Sequence, residues 1–426
     1  MNLQIPKPDD LFGRVIYSRN RTMSTPNTVW QFATAATIRF GRGCSAMLPD
    51  ELRRLNVARP LIVTDKTIAG LPQVAQLLHR LRLSSSQVLV FDDCVPEPPI
   101  DTAQAAIESG RAAGVDGVVA IGGGSNLDIG KIVGTVLRHG GTPRDYFGFD
   151  AVPGPILPMI AMPTTSGTGS EVSHAAVLTD TAAQNKVSTL SRWLRPDVAI
   201  VDPALTDSCP PLVTAHSGVD ALVHAIEAVT NRDFSQMTDV DPQARAYEGS
   251  YPLTRLLGAE AIRLVGRFLV RAYRKPDDLE ARDGMALAAM LAGMAFSNSG
   301  VALVHALEYP IGGLTHCSHG EGNGLLLPHV MRFNLPACTN AMADVANWLG
   351  CETNGLSRVD AAASAITAVV EMQLALEIRT RLSDLGLKKE QIPLVAHKAF
   401  QIKRLMDVNP RRPTERDLVE ILEKAY

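Results

Sequence analysis

The chain has 426 residues, 46% of them hydrophobic and 20% charged, with a formal net charge of −3. That length exceeds what one hydrophobic core usually organises, so two domains are expected. The charge balance excludes a nucleic-acid binder, which needs clustered Lys and Arg against phosphate, and no apolar stretch approaches the roughly 20 residues of a membrane-spanning helix.

The N-terminal stretch MNLQIPKPDDLFGRVIYSRNRTMS lacks the apolar centre of a secretory leader, and Asp9 and Asp10 offset Arg14, Arg19 and Arg21, which argues against a transit peptide. Residues 1–30 therefore read as an N-terminal extension. Strands and helices then alternate. RPLIVTD (59–65) and QVLVFDD (87–93) read as buried strands, separated by a helix over 71–83. A helix over 101–114 leads to the strand and glycine loop DGVVAIGGGS (116–125), followed by a helix over 126–139. ILPMIAM (156–162) and PDVAIVD (196–202) are further strands. Strands separated by helices imply a mainly parallel sheet covered on both faces, with ligands at the carboxyl ends of the strands. From about residue 212 the periodicity is helical: 214–230, 254–274, 278–298, 339–349, 360–385 and 414–425, with 325–336 broken at its prolines. The expected architecture is an α/β dinucleotide-binding domain over 1–202 and an all-helical domain over 203–426, with the site in the cleft between them. Six cysteines without a C-x-x-C pair fit reduced thiols in a cytoplasmic protein.

Three stretches of the first domain carry ligand-binding chemistry. In IGGGSNLDIGK (121–131), Gly122, Gly123 and Gly124 allow a sharp turn and close approach to a ligand. Ser125 reads as the helix N-cap, with Asp128 completing a capping box, and the helix N-terminus suits a pyrophosphate. The pattern is not G-x-G-x-x-G, and a plain strand-to-helix turn is the competing reading. In PTTSGTGSEVSH (163–174), Thr164, Thr165, Ser166, Thr168 and Ser170 follow a buried strand. If that strand runs parallel to 117–121, they share the sheet edge with the glycine loop and offer hydroxyls to phosphate or ribose. Asp65 at the end of LIVTD suits ribose hydroxyls and repels a 2′-phosphate, favouring NAD over NADP; an N-cap for the next helix explains it equally well.

In the second domain Asp220 and His224, four apart in TAHSGVDALVHAIEAVT (214–230), project from one helical face and suit two positions on a divalent metal. Glu227 lies near that face, either supporting a ligand or solvated. His305 sits in an apolar helical segment that Pro310 is expected to end, and His319 just before the next apolar run. These two histidines with the Asp–His pair make four candidate ligands. Spacing alone does not exclude His216, His316 or His329.

The set GGGSNLD, PTTSGTGSE, SGVDALVHAIEA, VHALEYPIGG and HGEGNGLLLPH resembles the iron-containing (type III) alcohol dehydrogenase family, over nearly the whole chain. The resemblance implies a dehydroquinate-synthase-like α/β domain, a helical metal-binding domain, NAD, and Fe2+ (or Zn2+ or Mn2+) held by Asp220, His224, His305 and His319. It places Asp65, Gly122, Gly123, Ser125, Thr164, Thr165, Thr168 and Ser170 against the cofactor, with Lys186 and Leu205 at further cofactor positions. It implies a homo-oligomer that acts on a small alcohol or aldehyde. Where many members read VH-x-x-x-H-P, this chain reads VHALEYP, so Tyr309 replaces a histidine proposed as a proton relay. That tyrosine resembles the hydroxyacid–oxoacid transhydrogenase branch, which acts on 4-hydroxybutyrate-type substrates. Tyr309 and His316 are the candidate proton carriers. A dehydroquinate-synthase-like lyase is the rival chemistry.

Overall fold

The computed structural model describes residues 28–84, 87–182, 185–238 and 246–426, so most of the expected N-terminal extension lies outside the described residues. The first half is built on a six-stranded parallel sheet. Its strands are β1 (Thr37–Phe40), β2 (Pro60–Val63), β3 (Leu89–Phe91), β4 (Gly117–Gly122), β6 (Met159–Pro163) and β9 (Val198–Val201), in the order β1-β9-β6-β4-β2-β3. A smaller sheet, order β5-β8-β7, joins β5 (Gly148–Phe149), β7 (Ala175–Asp180) and β8 (Asn185–Leu190). Strands β2, β4, β6 and β9 are buried along their whole length, which is why each reads as an unbroken apolar run.

Alternate side chains of those runs serve two separate cores. Leu61, Val118, Ala120 and Met159 pack on one face with α4 (Ile100–Ala113) and α5 (Gly124–His139). Ile62, Val119, Ile121, Ile160 and Ile200 pack on the other with α1 (Leu48–Arg54) and α3 (Pro72–Ser84). The short α2 (Lys66–Ala69) follows β2. The sequence pattern does not single out β1, β5, β7 or β8. They are short or rich in Ala, Thr and Ser, and along β7 the alternation is between half-buried and buried positions rather than between polar and apolar residues.

From Pro211 the described chain is helical: α6 (Pro211–Thr230), α7 (Pro252–Arg274), α8 (Leu279–Ser299), α9 (Leu303–Thr315), α10 (His319–Trp348), α11 (Arg358–Ala375), α12 (Ile392–Phe400), α13 (Lys403–Val408) and α14 (Glu415–Ala425). Three expectations are corrected here. Pro310 does not end its helix: α9 continues to Thr315, because the lost hydrogen bond is offset by burial of Leu307, Pro310 and Ile311 in the core. The prolines of 325–336 are corrected in part: Pro328 leaves the helix unbroken, while a kink follows Pro336 and separates the helix expected over 339–349. Helix α10 runs through Pro328 and Pro336 and departs from helical geometry only at Cys338 (φ −137°, ψ 33°) before resuming. The helix expected over 360–385 stops at Ala375; Glu377 turns left-handed (φ 57°), and Ile378, Leu382 and Leu385 reach the core from irregular chain. Helices α12 and α13 fall in a stretch where no helix was expected. Among the described residues no single helix is long and apolar enough to cross a membrane.

The two halves meet where the hydroxyl-rich loop after β6 crosses α8. Gly169 has φ 60°, and a Cβ there would lie 2.4 Å from the Gly293 Cα. A Cβ on Gly293 would lie 2.7 Å from the Gly169 Cα. Backbone touches backbone, so neither position has a flexible neighbour that can yield. Gly293→Ala is expected to destabilise the protein by about 1–3 kcal/mol through overpacking. Urea denaturation reads this as a lower midpoint at unchanged slope; an unchanged midpoint would show that the crossing has slack.

Candidate metal centre and cofactor groove

Strands β4 and β6 are parallel neighbours with Gly122 opposite Pro163, so the glycine loop and the hydroxyl loop lie side by side at the carboxyl edge of the sheet. The Thr164 N–H donates to the Gly122 carbonyl (2.9 Å) and ties them together. Gly122 has φ 149°, and a Cβ there would collide with the Asn126 side chain, whose Nδ2 donates to Asp65 Oδ2 (2.9 Å) and to the Ile121 carbonyl (3.1 Å). The N-cap of α5 is Gly123, not Ser125, and no side chain caps it. The first-turn N–H groups are thereby left facing the groove that Gly123, Gly124 and Ser125 line. Asp128 forms no capping box. It turns inward, accepting from the Ser170 hydroxyl (2.6 Å) and the Val177 N–H (2.9 Å), because the buried Lys131 draws Ser170 into the same cluster. Lys131 Nζ also donates to the Ser173 and Ala175 carbonyls, and burial lowers its pKa to about 8.

Asp65 does both things the sequence allows. Its Oδ1 caps α2 by accepting from the Ile68 N–H (2.9 Å), and its carboxylate lines the groove beside Asp92 and Asp93. From there the groove passes Gly123, Ser125, Thr164, Thr165, Thr168 and Leu205 and reaches His216, Asp220 and His319. Gly122 and Ser170 are not among the groove's lining residues. Ser170 and Lys186 line a different, inner pocket instead.

At the groove's end three helices converge. Helix α6 presents Asp220 and His224 one turn apart, α9 brings His305, and α10 begins with His319. His224 Nδ1, His305 Nε2 and His319 Nε2 stand 3.8, 4.0 and 3.9 Å from the Asp220 carboxylate. Donors about 2 Å from one shared ion are separated by about 3–4 Å. Asp220, His224 and His305 present ligand atoms within 4.8 Å of one another and are spaced to hold a divalent metal, with His319 beside Asp220 as the further candidate. Two further carboxylates fix the imidazoles. Glu227 Oε2 accepts from His305 Nδ1 (2.6 Å), and Glu308 Oε2 accepts from His319 Nδ1 (2.5 Å). Each bond keeps the proton on Nδ1 and leaves the Nε2 lone pair for a metal. His224 Nδ1 is buried without any hydrogen-bond partner, and the ring is stacked on Phe296. An unpartnered buried nitrogen beside a buried carboxylate is the state a metal ligand presents.

The electrostatics favour metal binding at His224 and oppose it at His319, whose second proton an ion must displace. Burial lowers the His224 pKa to about 3, so the ring is neutral and free to donate its lone pair. Burial alone would raise Glu308, but His319 and Lys186 hold it down to about 2. Burial alone would lower His319, but Glu308 and Asp220 raise it to about 9.

The sequence reading missed two supporting residues. Asn323, one turn after His319, places Nδ2 within 2.8 Å of Asp220 Oδ1 and 3.2 and 3.1 Å of the His305 and His319 Nε2 atoms; its i, i+4 spacing from His319 was the available signal. Glu308, completely buried, looked like an ordinary helical glutamate.

Of the candidate proton carriers, Tyr309 lies inside, edge-on to His305 (ring centroids 6.4 Å). His316 does not reach the cleft. It occupies the exposed left-handed C-cap of α9 (φ 55°), where the chain reverses before α10. His216 takes the position His316 was expected to fill: it lines the groove, with Nδ1 2.6 Å from Ser318 Oγ. His329 lines a separate surface pocket with Arg332 and Arg411.

Beside the metal donors lies the inner pocket, about 200 Å3, which shares Gly124, Ser125, Thr168, Asp220 and His319 with the groove. Phe296, Val301, Val177 and Leu190 give it apolar walls. Lys186, Tyr247, Tyr309 and Arg404 also line it, together with the acidic Glu97 and Asp128.

Comparison with known proteins matches residues 35–203 to the model of the iron-containing alcohol dehydrogenases and residues 246–426 to that of their C-terminal domain. The chain is 38% identical to long-chain-alcohol dehydrogenase 1 of Geobacillus thermodenitrificans, over 91% of this chain and 94% of that protein. The crystal structure of a 1,3-propanediol oxidoreductase superposes with a TM-score of 0.87 at 34% identity, covering 93% of this chain and all of that one. Sulfoacetaldehyde reductase from Bifidobacterium kashiwanohense, solved with NAD+, superposes at 0.79 with 30% identity, covering 94% of this chain and 99% of that one.

Glu227→Gln and Glu308→Gln each retain the shape of the centre but weaken their grip on the imidazole. Each is expected to lower affinity for a divalent ion by about 10- to 100-fold, read by competitive titration against a chelating dye. Wild-type affinity in both variants would mean that the imidazoles need no carboxylate support.

Proposed function

The chain belongs to the iron-containing alcohol dehydrogenase family, and from that premise we propose that it exchanges a hydride between NAD and the carbinol or aldehyde carbon of a small substrate in the inner pocket. One observation carries the reading: Asp220 and His319 line both the nucleotide groove and the inner pocket, so a ligand in each would meet at the four-donor centre. When bound, the divalent ion supplies a Lewis acid and the nicotinamide a hydride acceptor or donor.

The chain's own residues do the rest. Asp220, His224, His305 and His319 would hold the ion, with Glu227 and Glu308 fixing their tautomers. Phe296 and Val301 wall the pocket and keep water from the reacting carbon. Burial pushes the Tyr309 hydroxyl well above the usual phenol range, so it keeps its proton at neutral pH and orients a substrate oxygen as a donor rather than relaying protons. Iron is the preferred ion of this reading, supported by family membership and by a nitrogen-and-oxygen ligand set. A cytoplasmic homo-oligomer belongs to the same proposal, in keeping with the six free cysteines.

The α5 N-terminus and the Thr164–Thr168 hydroxyls suit the cofactor pyrophosphate, and Asp65, Asp92 and Asp93 make the far end of the groove acidic. A 2′-phosphate would be repelled there. Asp65→Asn preserves the α2 cap and removes the charge, and is expected to raise the NADP-to-NAD ratio of kcat/KM roughly tenfold, about 1.4 kcal/mol.

The reading as a whole is tested with anaerobically purified protein, by metal analysis and by NADH formation from short alcohols and diols. His305→Ala is expected to lose the metal and nearly all turnover while its circular dichroism stays that of the wild type. Turnover that survives without the metal would overturn the assignment.

A further inference from the structure

Among the described residues, the charged groups lining the inner pocket are paired or hydrogen-bonded, and Arg404 alone of them combines a buried donor left without an acceptor with the lack of an opposite charge. Lys186 is held between Glu97 (2.8 Å) and Glu308 (3.1 Å). Asp128 accepts from Ser170 and Val177, and Asp220 faces the three imidazoles. Arg404, from α13, makes no ion pair with any described residue. One of its terminal nitrogens donates to Ser188 Oγ (2.9 Å) on β8, and the guanidinium lies against the Tyr247 hydroxyl. Its Nε is buried and has no acceptor. A guanidinium is always charged and presents five N–H donors in a planar fork. Leaving part of that fork buried without an acceptor is costly, and a carboxylate matches its geometry with two parallel bonds.

The surroundings fix which end of a ligand this would be. Tyr309 lies beside the His305 and His319 rings and within the field of Arg404. Apolar side chains, Val177, Leu190, Phe296 and Val301, wall the same pocket. Metal donors, apolar walls and a guanidinium thus line one pocket.

We propose that Arg404, with Ser188 and Tyr247, binds a carboxylate on the substrate, so that the enzyme acts on short aldehydes and alcohols whose far end is a carboxylate. This rests on the dehydrogenase reading and narrows it from small alcohols to hydroxy acids and their semialdehydes. Arg404 is a specificity residue in this account and takes no part in hydride transfer.

The test uses full-length, metal-loaded enzyme with NADH and two substrates matched in length, succinic semialdehyde and its neutral methyl ester. The acid is expected to be preferred in kcat/KM by at least about tenfold in the wild type. Arg404→Gln should reduce that acid-to-ester ratio by about 10- to 100-fold, mostly through KM, and Arg404→Lys should restore part of it. A ratio near one in the wild type, or a ratio unmoved in Arg404→Gln, overturns the proposal. If 1,3-propanediol is oxidised while acid and ester react alike, the dehydrogenase reading stands and this one falls. Calorimetric titration of butyrate into the NADH-bound enzyme decides the matter without turnover. Binding that weakens at least tenfold in Arg404→Gln supports the carboxylate site, and binding that is absent from the wild type or equal in the two proteins overturns it.

Discussion

A carboxylate buried among three imidazoles is the arrangement the rest of this molecule serves. Asp220 is 2% exposed and His305 2%, in a region where a lone ion would be expelled or neutralised. The charge is tolerated because α6, α9 and α10 each deliver a donor to the same point, and because Glu227 and Glu308 fix the proton positions on two of the rings. Glu227 also accepts from the Ala302 and Val304 N–H groups, so the residue that orients His305 also secures the start of the helix carrying it. Local structure and site chemistry are satisfied by the same bonds.

The sheet half contributes position rather than donors. Parallel pairing of β4 and β6 brings two loops, forty residues apart in the chain, to one edge, where small residues let the backbone approach a ligand. The buried Lys131 cluster and the Gly169–Gly293 contact then lock the hydroxyl loop between α5 and α8. A loop so polar in composition is rigid because its hydroxyls bond inward as well as lining the groove.

Much of this was legible in the sequence because it rests on periodicity and spacing. The four central strands were unbroken apolar runs, and the Asp220–His224 pair was visible as one helical face. Where legibility failed, the determinants were long-range. Pro310 and Pro328 read as breaks, yet tertiary burial carried the helices through them, while exposed Pro336 is followed by a kink at Cys338. Ser125 and Asp128 fit a capping box, but Lys131, whose partners lie more than 35 residues away in sequence, pulled the aspartate elsewhere. His316 and His216 were indistinguishable by spacing; a left-handed turn at one and a groove at the other separate them. Arg404 and Glu308 gave no signal, since a charged residue in a helix is ordinary until its surroundings are known.

The bond between Lys186 and Glu308 has a mechanical consequence. Lys186 stands on a strand of the first half and Glu308 on a helix of the second, so this buried pair is a clasp across the cleft. Swinging the halves apart would break this pair but leave Lys186 with Glu97 and Glu308 with His319, so the partner each keeps on its own side sets how readily the cleft opens.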